Sequence, residues 1–258
     1  MQLSDDQKLA VQKILKWYFS KNRTQYITLG GYAGTGKTTI ISLVKLAIIK
    51  LLSQSLQYQK SIEKKSINEN FIQSNKDKNL LISPTSQSTS KKSKIPIKVA
   101  FCSYTGKATQ NMKNRLEEGN AVSYKDTIST IHGLIYKPIE NDKQEIVGWV
   151  KNDEIDYDLI IIDEASMVDK QIWYDILSYN IPIIAIGDHG QLPPINGDFN
   201  LMQNPHIKLT QIHRQAKQNP IIDVSILART KGEIPANDFG KNIVKYNSQS
   251  FDYSEMSN

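Results

Sequence analysis

Residues 31–38 constrain this chain more than any other stretch. They read Gly-Tyr-Ala-Gly-Thr-Gly-Lys-Thr and fit G-x-x-x-x-G-K-[ST], the phosphate-binding P-loop. Gly31, Gly34 and Gly36, with Ala33 and Thr35 between them, let the backbone wrap tightly so that its N–H groups face phosphate oxygens. Lys37 is placed to reach β- and γ-phosphates and the Thr38 hydroxyl to bind Mg2+, with Thr39 completing the nucleotide-binding residues where the helix opens. Tyr26–Leu29 is a short β-type run and Thr39–Leu52 is apolar-rich, which predicts a strand and then a helix whose N-terminus points at the anion. A chance glycine-rich turn would lack that setting. The pattern predicts a bound nucleoside triphosphate, ATP with Mg2+.

The 258 residues suffice for one large α/β domain, or one domain and part of another. Cys102 is the single cysteine, so no intramolecular disulfide can form and a reducing compartment is expected. The polar, acidic N-terminus is unlike a secretory signal, and no apolar run approaches the ~20 residues that span a bilayer, so the expectation is a soluble intracellular protein without a membrane partner. The net charge of +6 suggests nucleic acid less than it first promises. Residues 53–94 hold eight Lys, three acids and ten Ser, a net of +5 that leaves about +1 elsewhere. That low-complexity stretch reads as a loosely ordered insertion, either plain solvated chain or a basic tether to nucleic acid.

Ser4-Asp5-Asp6-Gln7 is a capping-box pattern ahead of a helix to about Ser20. After the insertion, Ile97–Cys102 predicts a strand, Thr105–Glu118 a helix, and Thr127–Tyr136 a short helical or turn segment. Residues 137–157 suggest a small β-hairpin. Leu159–Ile162 is a continuous apolar strand, Lys170–Ser178 a helix and Ile181–Ile186 another strand. Strands alternating with helices predict a parallel sheet with helices on both faces.

Two further segments carry chemistry. The run Leu159-Ile-Ile-Ile-Asp-Glu-Ala-Ser ends a buried strand in two acids, beside the P-loop. Asp163 would hold Mg2+ and Glu164 would orient and deprotonate the attacking water. Gly187-Asp-His-Gly-Gln-Leu-Pro-Pro follows the last strand, and there Gln191 can bond a γ-phosphate or that water without adding charge.

With these motifs in order, the chain resembles the superfamily 1B DNA helicases, and within them the RecD/Dda-like group. The supporting residues are the P-loop with Thr39, Thr-Gly-Lys-Ala at 105–108, Thr-Ile-His at 130–132, Asp-Glu-Ala-Ser-Met at 163–167, the 187–194 motif and Leu-Thr-Gln-Ile-His-Arg-Gln at 209–215. The resemblance covers roughly residues 3–235 apart from the insertion, and it implies a RecA-like P-loop fold. It also implies ATP hydrolysis coupled to single-stranded DNA translocation and unwinding at duplex–single-strand junctions, with 5′-to-3′ polarity. Gln7 resembles the adenine-reading glutamine, beside its plain role in the capping box. Thr105, Gly106 and Lys107, then Thr130 and His132, resemble segments that touch the DNA strand, although a surface lysine and a packing histidine are the everyday alternatives. Arg214 resembles the arginine that approaches the γ-phosphate from the second RecA-like domain. The 137–157 hairpin stands where the family inserts a duplex-splitting element. Trp149 and Tyr136 could stack on bases there, and packing in a core is the preferred reading.

The resemblance divides the chain into a first RecA-like ATPase domain at 1–205 and an incomplete start of a second at 206–258. The family's later His-Lys-x-x-Gly-type motif and second arginine are not found, and Asn219–Gly232 reads as one helix of the second domain. Three accounts fit: a truncated product, half of a split enzyme whose protein partner supplies the missing motor motifs, or a non-motor ATP- and DNA-binding module. A stand-alone P-loop ATPase is a further class, against which the 130–132 and 187–194 motifs speak.

Overall fold

The computed structural model describes residues 3–32, 34–74, 97–191 and 199–211, with residues 224, 227–228, 231–232, 234, 237–238 and 244–245. Side chains of the second stretch are described to residue 59. Ala33, Leu192–Pro194, Arg214 and most of Asn219–Gly232 lie outside the described residues.

Helix α1 (Asp5–Phe19) starts as the capping pattern predicts, with the Ser4 N–H donating to Gln7 Oε1 at 3.2 Å. Ala10, Ile14 and Tyr18, one turn apart, face the core. Strand β1 (Tyr26–Gly31) leads into the P-loop and helix α2 (Lys37–Ser74). The helix does not stop near Leu52 but continues well into the stretch read as an insertion. No Gly or Pro occurs between Lys37 and Ser83, so nothing local terminates it. Its segment Lys37–Gln59 has the length and composition to cross a membrane, which the sequence reading did not foresee. Ile40, Ile41, Val44 and Ile48 are buried against the sheet, so the core accounts for that apolar face.

Strand β2 (Val99–Ser103), helix α3 (Gly106–Glu118) and strand β3 (Thr127–Thr130) follow. The β3 strand replaces the first four residues of the helical or turn segment expected at 127–136, and α4 (Ile131–Ile135) is its helical part. Its four residues are all half-buried at the sheet edge, where Thr and Ile suit a strand but give no continuous apolar run. Strands β4 (Tyr136–Glu140) and β5 (Ile146–Lys151) pair antiparallel as the expected hairpin. Then come β6 (Leu159–Asp163), a 3-10 turn at Ala165–Met167, α5 (Lys170–Leu177), β7 (Ile183–Gly187) and β8 (Ile207–Leu209). Two-residue strands β9 (Asn237–Asp238) and β10 (Val244–Lys245) pair antiparallel apart from the main sheet.

The main sheet has the order β3-β2-β6-β7-β1-β8, every pair parallel. Because β8 pairs with β1 through Leu29↔Ile207 and Gly31↔Leu209, this sheet continues past the expected boundary at residue 205. Alternate residues of each strand feed two cores. Leu29, Phe101, Ile161 and Ile184 pack with α1, α2 and α3, whereas Cys102, Ile160, Ile162 and Ala185 pack with α4 and α5. Between α2, β2 and the turn before β3 lies an ion pair of Lys45 with Asp126, both side chains buried. Asp126 also accepts from the Val99 N–H at 3.1 Å and the Ser123 hydroxyl at 2.9 Å.

Candidate active site

In a parallel sheet the carboxyl ends of all strands open on one edge, and the segments at 31–38, 105–107, 130–132, 163–164 and 187–191 each lie at that edge. The order of strands sorts the motifs. The P-loop after β1, Asp163 and Glu164 at the end of β6 and Gln191 after β7 come from three adjacent strands. Thr105 to Lys107 and Thr130 to His132 come from the neighbouring pair β2 and β3.

The first group surrounds a cleft of about 680 Å³, lined among others by Lys37, Thr38, Asp163, Glu164 and Gln191. Gly34 and Gly36 take φ of 81° and 79°, the left-handed region that only glycine adopts without strain, and so bend the loop towards α2. Gly31 ends β1 against β8, where a Cβ would lie 2.6 Å from Thr35 Oγ1. The Thr35 hydroxyl donates to the Tyr32 carbonyl at 2.8 Å, and Lys37 Nζ donates to the Gly31 and Tyr32 carbonyls at 2.7 and 3.2 Å. Lys37 is therefore parked on the backbone of its own loop. Thr39 lines the same cleft.

Asp163 closes the apolar β6 strand, and its Oδ1 accepts from the Glu164 N–H at 3.0 Å. Burial, and then the neighbouring Glu164 charge, push its carboxyl up to about 6. The Glu164 N–H, Lys37 and Arg115 pull the other way. Glu164 itself sits at φ 55°, ψ 39°, a left-handed conformation uncommon outside glycine. Gln191 Oε1 accepts from the Ser166 hydroxyl at 2.6 Å, tying the 187–191 loop to the turn after Glu164. Thr38 is buried and its Oγ1 accepts from Arg115 Nη1 at 2.9 Å.

The donor set suits Mg2+. A hydroxyl and a carboxylate lining one cleft match an ion that takes one or two protein ligands and fills its octahedron with water and phosphate. Among the described residues no cluster of three His, Cys, Asp or Glu exists that would instead make a dedicated protein cage.

Gln7 reaches this site from α1. Its amide nitrogen donates to the Thr35 carbonyl at 2.9 Å while its oxygen caps Ser4, so the capping role and a P-loop contact coexist. Next to it, Asp6 Oδ2 accepts from the Thr210 and Gln211 N–H groups at 3.1 and 2.9 Å, just beyond β8.

On the β2–β3 side, Thr105 Oγ1 accepts from the Ala108 N–H at 3.2 Å and Thr130 Oγ1 from the Gly133 N–H at 3.1 Å, each capping a helix. Gly106 and Lys107 are exposed, and a Cβ on Gly106 would meet nothing within 4 Å, so packing does not demand a glycine there. His132 is exposed and pairs with the Tyr136 ring at 5.2 Å. Tyr136 packs on the α4–α5 core and donates to Asp175 at 2.5 Å, as a core aromatic should. Trp149 does not: it is 55% exposed on β5, contrary to the core reading. Sequence reasoning missed Arg115 and Ser166. Ser166 was within reach, two residues past Glu164 in a motif already quoted. Arg115 was not, since Asn-Arg-Leu-Glu-Glu reads as an ordinary polar helix end.

Fold and site together define a RecA-like P-loop protein built to use a nucleotide. Residues 2–249 match the AAA domain family, and the chain belongs to it. It is 34% identical over 152 residues to the ATP-dependent RecD2 DNA helicase of Deinococcus radiodurans, covering 55% of this chain and 19% of that protein. It is 30% identical over 234 residues to the RecBCD enzyme subunit RecD of Buchnera aphidicola subsp. Schizaphis graminum, covering 87% and 33%. The RecD-like character read from the motifs holds in both. The chain thus spans between a fifth and a third of the length of these relatives. Among solved structures, the Pif1 helicase from Bacteroides in complex with ADP-AlF3 and ssDNA overlaps 89% of this chain and 46% of its own, at 18% identity and a TM-score of 0.46.

Proposed function

We propose that this chain is the ATP-hydrolysing part of a DNA helicase motor, which couples hydrolysis to binding and movement along single-stranded DNA, with 5′-to-3′ polarity by resemblance. The carrying observation is the sorting of motifs along one sheet edge: nucleotide chemistry on β1, β6 and β7, strand-contact residues on β2 and β3, with β6 in contact with both sets. The RecD relatives support the same assignment.

In this reading Lys37 leaves the Gly31 and Tyr32 carbonyls for the β- and γ-phosphates. Thr38 and Asp163 would hold Mg2+, which neutralises phosphate charge when bound. Glu164 takes the proton of the attacking water. Gln191, released from Ser166, bonds the γ-phosphate and relays its presence through the 187–191 loop. Arg214 stabilises transition-state charge when a second domain closes. Thr105, Gly106, Lys107, Thr130 and His132 hold the DNA strand, and Trp149 offers an exposed face on which a base can stack.

The test is an ATPase assay with and without single-stranded DNA, next to a binding assay with a non-hydrolysable ATP analogue. Mg2+-dependent binding that Lys37→Ala removes, and hydrolysis that DNA stimulates, are expected. Equal analogue affinity in wild type and Lys37→Ala would sink the nucleotide assignment. Binding without any DNA stimulation would leave a nucleotide-binding module in place of a motor.

A further inference from the structure

One cation in the cleft belongs to no recognised motif. Arg115 lies on the last turn of α3, and its guanidinium donates to the Thr38 hydroxyl, the group expected to bind the metal. It also draws the Asp163 carboxyl down, so its charge is felt at both metal-side donors, one on α2 and one on β6. No ion pair among the described residues involves Arg115, although Glu118 lines the same cleft. A guanidinium carries its charge at every working pH and donates through a rigid fork that fits phosphate oxygens. Here that fork is spent on a neutral hydroxyl beside two carboxylates.

We propose that Arg115 is a positioning residue, an internal counter-cation that holds Thr38 and offsets Asp163 until nucleotide and Mg2+ arrive, and so sets how much divalent ion the site needs. The proposal rests on the nucleotide reading of the P-loop. Two cations on one hydroxyl oxygen repel each other, so coordination by Thr38 requires the guanidinium to turn away. The geometry permits this. Arg115 is largely exposed and only its tip reaches the buried Thr38, so the side chain can swing without disturbing Met112 or Leu116 in the core. The side chain then gives up the hydroxyl to the metal as the site fills.

The experiment titrates Mn2+ or Mg2+ into the protein with a fluorescent non-hydrolysable ATP analogue, and counts bound Mn2+ with ADP by electron paramagnetic resonance. Arg115→Ala should lower the half-saturating divalent concentration about tenfold, the loss of one nearby like charge at an intermediate dielectric. Arg115→Lys, which keeps the charge, should stay within about twofold of wild type. Circular dichroism should show both variants folded, since the position is exposed. An unchanged or raised midpoint in Arg115→Ala would overturn the proposal. So would equal losses in analogue affinity with and without metal, the mark of a plain phosphate ligand. If wild type binds no analogue at all, the P-loop reading falls first and this inference with it.

Discussion

Asp163 and Glu164 are neighbours in sequence, yet one ends a buried strand and the other, in a left-handed conformation, begins the turn beyond it. That difference separates their chemistry. Burial pushes the Asp163 carboxyl up to about 6 in the folded protein, above the ordinary aspartate value of about 3.9. Raising the pH between these values therefore costs stability, and the cost is complete above about 6. Asp163→Asn should stabilise the nucleotide-free protein by roughly 1–3 kcal/mol at pH 7.5 and hardly at all near pH 4. Urea denaturation at both pH values checks this, and an equal gain at each would contradict it. In the proposed role of Asp163 the same proton would compete with metal, so Mg2+-dependent nucleotide binding should weaken as the pH falls through about 6. Glu164→Gln should retain analogue binding and lose about 10²–10⁴ in turnover, measured as phosphate release. At this scale the sequence was informative wherever a motif fixed both residue type and strand end, as for Lys37, Asp163 and Glu164. It was silent on Arg115, because a contact between α3 and α2 has no local signature.

At the scale of elements, the link from α2 to the β3 edge depends on the buried Lys45–Asp126 pair. Removing one partner leaves an uncompensated charge in the core, so Asp126→Ala should cost about 3–5 kcal/mol of unfolding free energy. It also orphans the Val99 N–H and frees the Ser123 turn. Denaturant midpoints provide the measurement, and a loss under 1 kcal/mol would mean that the pair is idle. Thr105→Ala should cost about 1 kcal/mol by loss of the α3 cap. Lys107→Ala should leave stability alone while weakening single-stranded DNA binding and flattening its salt dependence. Apolar runs made β1, β6 and β7 legible from sequence, and turn residues framed the hairpin. The β3 edge was not legible, since half-exposed Thr and Ser residues carry no period. The length of α2 was misjudged because polar composition resembles disorder even where no residue breaks a helix.

For the molecule as a whole, the sheet order matters more than any single motif. Chain order interleaves the nucleotide motifs and the proposed strand-contact segments, whereas the parallel arrangement groups them, with β6 between β2 and β7. Cross-linking to a photoreactive oligonucleotide should accordingly label 105–107, 130–132 and Trp149, and spare 34–38. Labelling of the P-loop by DNA would invert the arrangement.

The first turn of α1 has a consequence of its own. Gln7 grips the carbonyl of Thr35 in the P-loop, and Asp6 grips the amides of Thr210 and Gln211, four residues and fewer ahead of Arg214. Two adjacent side chains thus tie together stations that the chain separates by 175 residues and more. A helix anchored in the core by Ala10, Ile14 and Tyr18 serves as a common gauge block, fixing the phosphate loop and the exit of the polypeptide from the sheet against one reference.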